Sequence, residues 1–127
     1  MNPFAQNRTP YEQVRMAFEK DGGIELRSWL QTETDQRALS VIVDAMGYKD
    51  PRTHDLRRRW LLDFLSRNVL DTETVVRPLV DLAALDGARD ILEALDGTDA
   101  PEYLISRLRT LTDQQARERL ITTGSMG

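Results

Sequence analysis

Thr9-Pro10-Tyr11-Glu12-Gln13-Val14-Arg15-Met16-Ala17-Phe18-Glu19-Lys20-Asp21-Gly22-Gly23, residues 9–23, holds a whole helix together with its punctuation. The Thr9 hydroxyl can accept from an orphan amide of the first turn, and Glu12, three residues on, can reach back to the cap amide. Pro10 falls inside that first turn, where its missing N–H costs nothing. Tyr11, Val14, Ala17 and Phe18 recur at helical spacing and form one apolar stripe. Gly22-Gly23 closes the last turn, because glycine takes the left-handed conformation without a steric penalty.

The same signals recur outward from this stretch. Asp99-Ala100-Pro101-Glu102 and Thr112-Asp113-Gln114-Gln115 repeat the cap pattern, and Gly47, Gly87, Gly97 and Gly124 repeat the stop. The spacing predicts helices near 10–21, 24–31, 34–46, 51–67, 72–86, 88–95, 99–110 and 113–122. No segment alternates with period two for long enough to argue a strand. The expected fold is all-α: a single domain over residues 1–127, built as a compact bundle of seven or eight short helices, with loose termini at 1–8 and 123–127.

Helical spacing also assigns the core. Leu39, Ile42, Val43 and Met46 form a second stripe, and Leu56, Trp60, Leu61, Phe64 and Leu65 a third, with Leu62 on its far side. That extra leucine predicts that the helix at 51–67 is central and covered on most of its circumference. Val75, Val76, Leu79, Val80, Leu82 and Ala83 form a fourth stripe, with Leu70 placed to staple onto Val75 and Pro78 early enough to be absorbed. Ile91, Leu92 and Leu95, then Leu104, Leu108 and Leu111, then Ala116 and Leu120 complete it. Ala-Leu-Asp-Gly occurs at 84–87 and again at 94–97, a period too short for a helical-repeat array. Both copies read as helix ends around a small helix.

A chain of 127 residues buries roughly two thirds of its unfolded surface, so it needs no disulfide or metal to fold. It has no cysteine, which removes thiolate chemistry and favours a cytoplasmic home. Its unbroken aliphatic or aromatic runs, such as Val41 to Val43 and Trp60 to Leu62, are far too short for a signal peptide core or a membrane span. Net charge is −4, unevenly distributed. Residues 49–69 hold six basic and three acidic groups, net +3, and residues 70–102 hold two and nine, net −7.

Little in the chain carries chemistry. His54 is the single histidine, without a second ligand at metal spacing, and reads as a surface or capping residue. Asp86, Asp90 and Glu93 are spaced i, i+4 and i+7, a row that could hold Mg²⁺ or Ca²⁺, but the calcium-loop pattern and any phosphate-cradling glycine loop are absent. A solvated acidic face fits better. No cofactor is implied.

The segment from Val43 to Trp60 resembles a helix-turn-helix. Gly47 would make the turn, Asp50-Pro51 would start the second helix, and Leu56 and Trp60 would pack it back on the first. Lys49, Arg52, Arg58 and Arg59, with Arg57 beside them, would then face phosphates or base edges. Val43 stands where such motifs usually use a small residue, and Thr53 where they use an apolar one. Asp55 shares the outward face and is placed to pair with Arg59 at i+4. Arg57 points into the apolar sector, where an arginine snorkels or pairs with a carboxylate at the core's edge.

The expected function is therefore that of a non-enzymatic interaction protein: an adaptor, an inhibitor or immunity-type partner, or a small structural subunit. Its contact surface would be the acidic face at Asp81, Asp86, Asp90, Glu93 and Asp96, facing a protein with a basic surface. Opposite-charge neighbours also permit a homodimer. The alternative is a small DNA-binding regulator using residues 43–60, and no membrane partner is expected.

Overall fold

A computed structural model describes the backbone of residues 9–126 and the side chains of residues 9–120. Seven α-helices follow one another without a strand among the described residues: α1 (Pro10–Asp21), α2 (Ile24–Thr32), α3 (Gln36–Ala45), a 3₁₀ turn (Pro51–Thr53), α4 (His54–Ser66), α5 (Thr72–Ala83), α6 (Ala88–Ala94) and α7 (Glu102–Met126). The all-α bundle expected from the caps and stripes is the observed fold.

The first helix forms as its sequence dictates. The Thr9 hydroxyl accepts from the Glu12 amide at 3.2 Å. Gly22, at φ 70°, closes the helix by donating to Phe18 O, and Gly23 donates to Ala17 O. Gly23 is needed for a second reason: a Cβ there would stand 2.9 Å from the rings of both Phe18 and Trp60. Gly47 is different, because its φ is not positive. It is small because α5 lies against it, a Cβ there meeting Pro78 Cα at 3.0 Å.

The central helix is α5, not the helix at 51–67. Val75, Val76, Pro78, Leu79, Val80, Leu82 and Ala83 are all buried, and α5 packs against α3, α4, α6 and α7. In α4 only Leu61 and Phe64 of the apolar set are fully buried, whereas Leu56, Trp60, Leu62 and Leu65 stay half-buried. Leu62 fills space beside the core instead of marking a fully covered helix. α1 and α2 close the far side through Val14, Phe18, Leu26, Trp29 and Leu30.

Four further expectations change. The helices predicted at 99–110 and 113–122 are one helix, α7, and Thr112 is no cap: its hydroxyl bonds back to Leu108 O at 2.7 Å inside the helix. Gly124 does not stop α7, and residues 123–126 continue it as helix; residues 1–8 and 127 lie outside the described residues. Tyr11, Ala116 and Leu120 are exposed, Leu120 at 71%, because α1 turns its first turn outward and α7 runs past the bundle after Gln115. Asp99 does not cap α7, since its carboxylate takes the Thr72 hydroxyl instead.

Candidate functional site

The basic segment is built around Arg57, which is fully buried. Its Nη1 donates to Met46 O at 2.8 Å and Tyr48 O at 2.5 Å, its Nη2 to Asp50 O, and its Nε to the Thr53 hydroxyl at 3.0 Å. The guanidinium lies 3.6 Å over the Tyr48 ring. Contrary to the sequence reading, it neither snorkels nor takes a carboxylate. Backbone carbonyls of the stretch that follows α3 supply the negative ends of their dipoles, so one planar fork gathers three carbonyls of the connection. Burial pulls the Arg57 guanidinium below its usual value, and Tyr48 and Asp50 counter that.

This clamp sets the geometry of the helix-turn-helix candidate. α3 and α4 each pack on α5, and the two are not among the closely packed helix pairs. Nor do the basic side chains share a face. Arg52 holds the Asp50 carboxylate through Nε and Nη2 and reaches Glu19 of α1 at 3.6 Å. The Arg52 hydrogen bonds, from side chain and backbone, lower Asp50 to about 2. Arg58 turns the other way, 3.1 Å from Asp55 and 3.9 Å from Asp90 of α6. Asp55 thus pairs with Arg58 at i+3 and not with Arg59, which is exposed and makes no ion pair among the described residues. Lys49 is exposed and stands near Asp81.

His54 is buried, not a surface residue. Its Nε2 lies 3.4 Å from Asp86 O and its Nδ1 3.5 Å from Asp55. It fastens the start of α4 to the turn after α5. Across that turn Gln115 of α7 accepts from the Ala88 amide at 3.0 Å and donates to Ala83 O at 2.7 Å. Gly87 gives α6 no side-chain cap, so α7 supplies one from 27 residues away.

The acidic residues divide in two. Asp86, Asp90 and Glu93 share the α6 side with exposed carboxylates, 63%, 72% and 65% accessible, although each has an arginine within 4 Å: Arg119, Arg58 and Arg89 respectively. Exposed pairs of this kind contribute little to stability and exchange readily. Asp96 follows in the next turn, exposed. Asp81 does not join them. Its neighbours are Asp44 and Lys49, and burial first, then Asp44, raises its carboxyl above the usual range.

A raised carboxylate binds protons more readily in the folded than in the unfolded chain, so it costs stability at neutral pH, and that cost disappears as pH falls through the raised value. Asp81→Asn is therefore expected to stabilise the protein at neutral pH by under about 1 kcal/mol, since the group is partly exposed. Urea denaturation at neutral pH and at about pH 3 checks this: the advantage should vanish in acid.

Between α6 and α7 lies a cleft of about 530 Å³ lined by Leu92, Leu95, Ala100 and Ile105 and by Glu93, Asp96, Glu102 and Arg109. Among the described residues no group of three or more histidine, aspartate or glutamate side chains is placed to hold a metal ion, and no helix is long and apolar enough to cross a membrane. No known family, no curated protein and no solved structure matches the chain.

Proposed function

We propose that this chain is a non-enzymatic protein-interaction module, an adaptor, inhibitor or small structural subunit acting in the cytoplasm, that meets a basic partner through the α6 side of the bundle. The observation that carries this reading is the exposure of Asp86, Asp90 and Glu93 on one short helix and the turn before it. The groups best suited to chemistry, His54, Arg57 and Gln115, are tied to the backbone of the turns. The carboxylates are not tied down in this way. An acidic side beside a basic segment steers and orients an encounter more than it supplies affinity.

The test compares two triple variants, Asp86→Lys/Asp90→Lys/Glu93→Lys and Lys49→Glu/Arg52→Glu/Arg59→Glu, each checked for native melting. Capture of the native partner should fall by about tenfold or more in the first variant and hold in the second. Random duplex DNA serves as the opposing probe. Salt-sensitive duplex binding lost only in the second variant would replace this reading with nucleic-acid recognition. A second copy of the chain counts as a partner if sedimentation shows a dimer that the acidic variant dissociates.

A further inference from the structure

We propose that the cleft between α6 and α7 is a docking groove for a short peptide segment of the partner, one that carries an aliphatic or aromatic anchor beside an arginine. The inference rests on the reading of the chain as an interaction module and specifies what it binds. The base of the cleft is apolar: Leu95 is buried, and Leu92 and Ile105 are half-buried with surface still open to a ligand. The cleft is open to solvent, and its volume of about 530 Å³ is that of a ligand-binding cleft.

The charge at its edge selects a cation. Glu102 already takes a guanidinium within this cleft, from Arg109 at 2.8 Å. Asp96 lines the same cleft and makes no ion pair among the described residues. The charged side chains that line the cleft are three carboxylates, Glu93, Asp96 and Glu102, against one guanidinium, Arg109, so the field reaching a ligand is negative. A planar guanidinium fits such carboxylates in bidentate fashion, which favours arginine over lysine.

The ligand is longer than one residue. Gly97 and Thr98 are shared with a second cleft of about 530 Å³, where Leu62 and Leu65 of α4 are half-buried. Two hollows that meet at one turn, each with aliphatic surface beside polar groups, fit successive side chains of a chain, with acid between them.

The probe is a short fluorescein-labelled peptide with Arg-Leu-Leu-Arg at its centre, read by fluorescence polarisation and by amide chemical shifts of the full chain. Its controls replace both arginines by glutamate or both leucines by serine. The probe should bind at least about tenfold tighter than either control, weaken as salt rises, and shift the amides of Leu92, Asp96, Thr98 and Ile105. Asp96→Lys/Glu102→Lys should weaken it about tenfold, and Asp86→Lys/Asp90→Lys by no more than about twofold.

Equal binding of the glutamate control, shifts lying outside the cleft, or no binding at about 1 mM would overturn the groove. If probe binding instead follows Asp86 and Asp90, the groove fails while the acidic α6 side stands as the contact. If the acidic triple variant also leaves capture of the native partner intact, both readings fail.

Discussion

Arg57→Ala is expected to lower the unfolding free energy by about 3 to 5 kcal/mol, because it removes a charged donor shared by three backbone carbonyls. Met46 O and Asp50 O accept from this side chain, Tyr48 O accepts from it and from the Asp50 amide, and the Tyr48 ring loses the cation stacked on it. A buried acceptor without a donor costs about 1 to 3 kcal/mol, part of which water entering the vacated site relieves. Arg57→Met separates packing from hydrogen bonding. It refills most of the volume yet takes this donor from Met46 O and Asp50 O, so it should still cost about 3 kcal/mol.

Arg57→Lys should fall between: an ammonium reaches one or two of the carbonyls but cannot span the three or lie flat on Tyr48. Denaturant unfolding gives the ranking, and hydrogen exchange should show residues 46–53 opening first in all three variants. A loss below about 1 kcal/mol for Arg57→Ala would mean that the connection between α3 and α4 holds itself without the clamp.

Local signals made the early helices legible. Thr9 and Gly22 fix α1 at both ends, and the bond from Thr9 and the bonds from Gly22 are those the residue types predict. The stripe in α5 was equally plain, since six apolar residues at helical spacing leave no other face to bury. What the sequence hid was long-range. Thr112-Asp113-Gln114-Gln115 matches a cap pattern, yet Gln115 is held by the α5–α6 turn, and nothing local distinguishes a start from an interior. The α4–α5 connection has no glycine, and Asn68 takes the left-handed position at φ 56°, a role asparagine fills more readily than most residues.

Leu26, Trp29 and Leu30 of α2 are buried at i, i+3 and i+4, a stripe that periodicity could have found. At the candidate site the acidic α6 row was readable from spacing, because its members lie within one helix and its flanking turn. That Asp81 belongs elsewhere was not, since α5 meets Asp44 of α3 only through the tertiary fold. Arg57 shows the same limit: its position in the apolar sector was readable, but carbonyls as partners carry no residue identity. The α6–α7 cleft is likewise a product of packing, joining Leu92 to Ile105 across a turn.

Leu79→Ala is expected to cost about 3 to 5 kcal/mol, more than Trp60→Ala, although tryptophan is the larger side chain. Leu79 is fully buried in the helix that touches α3, α4, α6 and α7, so the cavity left behind is walled by elements that cannot all move inward together. Trp60 packs at an edge. Its ring lies 5.2 Å from Phe18, with Arg27 5.6 Å above it, and it stays half-buried. Removing it loses an aromatic contact and some apolar area, about 2 kcal/mol together, because water fills part of the space. Thermal melts and denaturant midpoints of both variants decide the order. A greater loss for Trp60→Ala would return α4 to the centre of the bundle, because only a ring enclosed on all sides would forfeit more than a leucine at the junction of four helices.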